Sequence, residues 1–213
     1  MSDKKKLERV VTPKGRLGYP FLVKPDTKFN PEGEYKTHLF LDGPAAEDIL
    51  AKLEAGVKEA VAKAKADPKN KGKKIKEADL PIQWNEEETE VRLSFKLKAS
   101  GKNGKGEAFT QKPALFDAKG KPLPEGVKIG SGSIAKVSFE VVPFFTALVG
   151  AGVSLRLKAV QVINLKEYSG SSNGSSYGFE EEEGDEIEGS DSSEFGDESA
   201  GAADAPTDDN PDF

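Results

Sequence analysis

The 213-residue chain has no cysteine and only one histidine, one methionine and one tryptophan. Without thiols, neither a disulfide scaffold nor a thiolate metal site can form. No run of eighteen apolar residues occurs, so no membrane-spanning helix is expected. The opening "MSDKKKLERVVT" carries positive charge with no apolar stretch behind it, unlike a secretory signal. A soluble intracellular protein is the expectation. The most informative shortage is positional: no Lys, Arg or His follows Lys166. Residues 1–168 hold 31 basic and 22 acidic side chains, a net of +9, whereas residues 169–213 hold 15 acids and no base, a net of −15. The overall charge of −6 conceals both. A body of that sign attracts polyanions, and a tail of that sign imitates one.

Catalytic chemistry is also scarce. His38, in "YKTHLFL", reads as a strand side chain rather than a base or ligand. Glu86, Glu87, Glu88 and Glu90 could hold a divalent ion with Asp79, as in a nuclease. Consecutive carboxylates in a strand point alternately, however, and suit a solvated turn better than a coordination shell. The glycines of "SGKNGKGE" and "IGSGS" match no phosphate-loop spacing, neither opens a helix, and no Gly-x-Ser-x-Gly elbow is present. The expectation is a protein that is not an enzyme and needs neither cofactor nor metal.

Short segments of alternating polarity are abundant. In "EVRLSFKLKAS", Val91, Leu93, Phe95, Leu97 and Ala99 fall on one side, and Arg92, Ser94, Lys96 and Lys98 on the other. That is the period of a half-buried strand, here with three cations outward. "GRLGYPFLVKP", "EYKTHLFLD" and "SIAKVSFEVVPFF" read as further strands, and "EAFTQKPALFD" as a strand returning beside "EVRLSFKLKAS" in a hairpin over residues 90–117. "GVSLRLKAVQVINLKEY" alternates until Val160, where a slip predicts a bulge. "GPAAEDILAKLEAGVKEAVAKAKADP" is the one helix, with Ile49, Leu53, Val57, Ala60 and Ala64 on a single stripe, Pro44 in the first turn and Asp67-Pro68 as its stop. The lysine-rich run 69–76 is too charged to pack and reads as an exposed loop and a candidate phosphate contact. The fold class is therefore mainly β: an OB-like barrel of five to six strands with one amphipathic helix over residues 1–168. A Gly/Ser-rich linker over 169–179 and a disordered acidic tail over 180–213 are expected to follow.

Single-stranded nucleic acid offers a line of phosphates and a set of unstacked bases, so a non-selective binder needs cations interleaved with exposed rings. The body supplies Tyr19, Phe21 and Lys24 in "YPFLVKP", Tyr35 and Lys36 in "EYKTHLF", and Arg92, Lys96 and Lys98 in the alternating strand. It adds Phe109 and Lys112 in "AFTQK", Lys136 in "IAKVSF", Phe144 and Phe145 in "VVPFFTALVGAG", and Arg156 in "SLRLK". Phe95 and Phe139 belong to the core. Strand neighbours face opposite ways, so Phe144 and Phe145 do not enter one core together, and one of them is expected to meet a base.

In "YPFLVKPD", in "IGSGSIAKVSFEVVPFF" followed by "TALVGAGVSLRLKAVQVINL", and in an acidic tail ending "DF", the chain resembles the single-stranded-DNA-binding replication proteins of bacteriophages of the T-seven kind. The resemblance implies an OB barrel that binds single-stranded DNA without sequence preference in the cytoplasm of an infected bacterial host, serving replication and recombination. It also implies a homodimer, and a tail that contacts the phage DNA polymerase and helicase/primase. By that likeness Phe144 and Phe145 match DNA-contacting aromatics, with Lys136 on the same strand. The family's Tyr and Trp are both Phe here, which leaves stacking without side-chain hydrogen bonds, and the single Trp84 lies elsewhere. In the tail, Phe213 with its carboxylate is the expected hook, and Asp208, Asp209 and Asp212 the charges that meet a partner's basic rim. Two other classes stand beside this one: a metal-dependent nuclease built on Asp79 and Glu86–Glu90, and an acidic-tailed structural or chaperone-like protein.

Overall fold

The computed structural model describes residues 7–28 and 30–167. The expected linker and tail, with Asp208, Asp209, Asp212 and Phe213, lie outside the described residues. In chain order the elements are β1 (Arg9–Val11), β2 (Gly15–Asp26), β3 (Glu34–Asp42), α1 (Gly43–Ala66), β4 (Ile82–Trp84) and β5 (Glu90–Lys98). They continue with β6 (Ser100–Lys102), β7 (Ala108–Thr110), β8 (Ala114–Phe116), β9 (Ile134–Thr146) and β10 (Gly150–Asn164).

Five long strands close a barrel. β2 pairs with β3, β3 with β5, β5 with β10, β10 with β9, and β9 returns to β2. Only β5–β10 within that ring is parallel. A five-stranded Greek-key barrel of this kind is the OB fold. Its core follows the alternation: Leu39 and Leu41 of β3, Val91, Leu93 and Phe95 of β5, Val137 and Phe139 of β9, and Leu155 and Leu157 of β10 all point inward and are buried. Phe95 and Phe139 meet edge to face at 5.1 Å between centroids. The helix stripe Ile49, Leu53, Val57 is buried in the same cluster, while Ala60 and Ala64 pack with Ala151. α1 ends at Asp67, where Pro68 cannot continue it. Among the described residues no helix is long and apolar enough to cross a membrane.

The slip in the last strand is a register shift between Leu157 and Ala159 of β10. It turns the strand so that Val160 and Val162 enter the core in place of the opposite parity. The hairpin expected over residues 90–117 takes another form. β5 has β4 and β10 as neighbours on the side away from β3, so no edge is open for a returning strand. The segment instead makes the small β6–β7 hairpin, and after Pro113 it places β8 parallel to β10. Proline lacks the amide a continuous ladder would need.

Phe139 is fully buried and has Phe95 as its ring partner. Phe139→Ala should cost about 3–5 kcal/mol, measured as a fall in the urea midpoint at unchanged slope.

Candidate nucleic-acid interface

With alternate residues of β3 and β5 locked into the core, the other half of each strand is committed to a single outward face. The register lays that face out in rows. Arg16 of β2 lies opposite Phe40, which lies opposite Arg92 of β5, which lies opposite Gln83 of β4. In the next row Gly18, His38 and Ser94 are aligned, and in the one after it Phe21, Lys36, Lys96 and Arg156. Glu34 and Lys98 pair beyond them. Rings from β2 and β3 therefore stand among cations from β2, β3, β5 and β10.

Local contacts fix the side chains. The Arg16 guanidinium lies 4.3 Å from the Phe40 centroid and the Lys36 ammonium 5.1 Å from that of Phe21. Tyr19 stands edge-on to His38 at 6.2 Å and is 71% exposed. Its backbone is in the left-handed region at φ 46°, with its amide donating to Ser131 Oγ at 3.0 Å. A non-glycine residue there costs of order 1–3 kcal/mol, and such positions cluster where a ligand is held. Between β5 and β10 the face deepens into a groove of about 800 Å³ that includes Lys96, Lys98, Arg156 and Lys158, with Phe109 on its wall. Acidic side chains partly neutralise the cations. Lys36 pairs with Asp26, Lys96 with Glu34 at 3.7 Å, and Glu140 takes both Arg156 at 3.5 Å and Lys158 at 3.7 Å.

The β9–β10 pairing carries the same face onward. Glu140, Val142 and Phe144 lie opposite Arg156, Ser154 and Gly152. Phe144 thus shares the side of Ser154 and Arg156, which line the groove, and its ring lies over Gly152, where an added Cβ would stand 3.1 Å from it. Phe145 pairs with buried Ala151, on the opposite side, and is 36% exposed.

The model of the family "Single-stranded DNA-binding protein, Bacteriophage T7" matches residues 15–165, the whole of this barrel. The chain belongs to that family. Over 189 residues it is 31% identical to the single-stranded DNA-binding protein of Enterobacteria phage T3, covering 80% of this chain and 78% of that one. It is 30% identical over 171 residues to that of Escherichia phage T7, covering 71% and 73%. The crystal structure of gp2.5, a single-stranded DNA-binding protein encoded by bacteriophage T7, superposes with a TM-score of 0.66 at 25% identity, covering 85% of this chain and all of that one. A single-stranded DNA-binding protein from bacteriophage Enc34, in complex with single-stranded DNA, shares the fold with a TM-score of 0.52 at 14% identity, covering 76% and 89%. The family is one of binding proteins, not enzymes.

Of the residues singled out in the sequence, Tyr19, Phe21, Lys36, Arg92, Lys96, Lys98, Phe109 and Arg156 come together on the face and its groove, and Phe144 extends it. Tyr35 does not. It sits at 8% exposure in the core beside Leu39, because the strand that turns Lys36 outward turns Tyr35 in. Lys136 lies apart, in a cavity with Arg9, Val11 and Phe116 at the far end of β9. Lys24 is exposed on the half of β2 beyond its regular pairing, and Lys112 is exposed next to Gln111 of the groove. Phe40, Arg16 and His38 also belong to the face, although the interleaving of cations and rings along the chain does not single them out. Parity finds two of them, since Lys36, His38 and Phe40 are successive outward positions of β3. Trp84 is nearer the face than its place in the chain suggests, lining a small cavity with Phe40 and Arg92. Glu86–Glu88 form the exposed turn before β5, closed by Asn85 Oδ1 accepting from the Thr89 and Glu90 amides.

His38 lies at the centre of this field. Burial, then the charges of Arg92, Lys36 and Lys96, hold its imidazole below the ordinary value. Further along the face, the hydrogen bonds from Lys36 and from the Lys28 amide hold the Asp26 carboxyl below its own ordinary value. The folded chain thus resists a proton that unfolded His38 accepts as pH falls through about 6.5. His38→Gln should lose less stability than the parent between pH 7.5 and pH 5.5, measured as the shift in urea midpoint.

Proposed function

We propose that the chain binds single-stranded DNA without sequence preference along the outward face of β2, β3, β5 and β10, in phage DNA replication and recombination in the cytoplasm of the infected host. One observation carries the reading: the row Phe21, Lys36, Lys96, Arg156, flanked by Tyr19 and Phe144, puts rings and cations on one surface. A phosphate chain needs the cations and splayed bases need the rings. The matching face of an OB barrel, between its second and third strands, is a common oligonucleotide site. Its rings and lysines give affinity without sequence, because a ring stacks on any base and a lysine meets any phosphate. The carboxylates that now neutralise Lys36, Lys96 and Arg156 must yield to phosphate oxygens, so affinity reflects an exchange of counter-ions and falls with salt.

Phe144→Ala and Tyr19→Ala should each weaken oligo-dT binding by about 1–3 kcal/mol, roughly five- to hundredfold, with the salt slope unchanged. Lys96→Ala should instead reduce that slope by about 0.7 for each phosphate it no longer neutralises. Fluorescence anisotropy at several salt concentrations separates the two. Rings that could be removed without loss of affinity would leave this reading untenable.

The tail has a separate task in the same reading. Residues 169–213 bring a net of −15 to a +9 body, an electrostatic competitor at the effective concentration of a tethered segment. DNA displaces it. Phe213 with its α-carboxylate, and Asp208, Asp209 and Asp212, are then available to the phage polymerase and helicase/primase. Removing residues 180–213 should tighten oligo-dT binding and abolish polymerase capture; weaker binding by the shortened chain would contradict the competition.

A further inference from the structure

The strongest cationic density that the face does not use is the segment 69–76. It carries Lys69, Lys71, Lys73, Lys74 and Lys76, all exposed, with no acid between Asp67 and Glu77. Most cations of the face are paired: Arg16, Lys36, Lys96, Arg156 and Lys158 each have a carboxylate within 4 Å, whereas among the described residues Arg92 and Lys98 of the face and all five of these lysines have none.

A run of unpaired lysines would by itself be a solvated loop, but this one is anchored at both ends. At its start the Lys69 amide donates to Asp67 Oδ1 at 2.9 Å, and Asn70, buried, donates through Nδ2 to the Ala64 carbonyl at 2.9 Å. At its end the Ala151 amide donates to the Lys76 carbonyl and the Ala78 amide to the Ala151 carbonyl, both at 2.8 Å. Ile75 packs on the Ala60, Ala64, Ala151 cluster. Gly150, at φ 108°, lies so close under the Lys76 carbonyl that no Cβ would fit. The segment thereby runs from the end of α1 to the start of β10, which pairs with the end of β9 that bears Phe144 and Phe145. Ala78 and the Phe144 ring share the space over Gly152. At the tip of this hairpin Leu148 is 92% exposed and Val149 48% exposed.

We propose that residues 69–76 are a second phosphate-binding subsite, which carries a single strand leaving the β5–β10 groove past Phe144 and onto a lysine strap. This rests on the reading of the face as the single-stranded-DNA site and adds a direction and a length to it. A 3₁₀ turn over Pro68–Asn70 and the bond from the Lys73 amide to the Asn70 carbonyl compact its first half, so the strap falls well short of the roughly 26–29 Å of eight extended residues and meets about two or three phosphates. Exposed lysines meet the phosphates of any sequence alike, so the strap adds affinity and salt dependence and no sequence preference.

The test compares short and long ligands. In the full chain, Lys71, Lys73, Lys74 and Lys76 are changed together to Ala, and Kd is measured against salt for oligo-dT of about eight and about thirty nucleotides. A charge-matched control replaces Lys14, Lys58, Lys119 and Lys121, which are exposed elsewhere. The proposal expects unchanged binding of the short ligand. For the long one it expects a salt slope smaller by about 0.7 for each phosphate the strap would have neutralised, some two to three in all, with the control close to the parent. An unaltered long-ligand slope, or an equal fall in the control, overturns the strap while leaving the face intact. Failure of the parent chain to bind either ligand would instead overturn the reading of the face.

Discussion

From Glu34–Lys98 to Asp42–Glu90, every residue of β3 is paired with one of β5, and this uninterrupted register is the constraint on which the rest depends. One parity of that ladder, Leu39 and Leu41 against Leu93 and Val91, is sealed in the core. The other parity has nowhere to go but outward, where it lines up Lys36 with Lys96, His38 with Ser94, and Phe40 with Arg92. A slip of one residue would exchange the two sets completely, burying lysines and exposing leucines. Hydrophobic burial thus places the cations without any attraction among them, and in their midst the His38 imidazole is held below its ordinary value by burial first and by their repulsion second.

That repulsion is held in check by neighbouring acids. Asp26, Glu34 and Glu140 stand beside Lys36, Lys96 and the Arg156–Lys158 pair. These carboxylates are half-buried and the cations more exposed than they are, so the pairs restrain the like charges while the cationic heads stay within reach of a phosphate chain. The strap lysines lack such partners among the described residues, and they sit where the backbone of β10 fixes them. On the proposed reading most cations of the groove exchange a carboxylate for a phosphate, while the strap lysines have no such partner among the described residues.

Much of this is legible from residue order. Period-two alternation identifies β3, β5, β9 and β10 almost residue for residue, the slip before Val160 marks the bulge, and the stripe from Ile49 to Ala64 marks α1. What escapes is set by three-dimensional neighbours. Whether β5 has room for a returning strand depends on β4 and β10 already occupying its side, and nothing in "EAFTQKPALFD" encodes that. Tyr35 adjoins Lys36 and so reads as an exposed ring, although adjacency in a strand means opposite faces. Arg16 joins the site through its pairing with Phe40 of the next strand and its ion pair with Glu90, 74 residues on. The pairing of residues 76–78 with Ala151 joins segments more than seventy residues apart, and only the folded chain brings them together.

Photochemical cross-linking of halogenated oligo-dU to the full chain, followed by peptide mapping, tests the central claim most directly, because it asks which rings touch bases without altering any residue. The account predicts adducts at Tyr19, Phe21 and Phe144. Adducts confined to peptides around Val11, Phe116 and Lys136, with none from β2 or the end of β9, would contradict it.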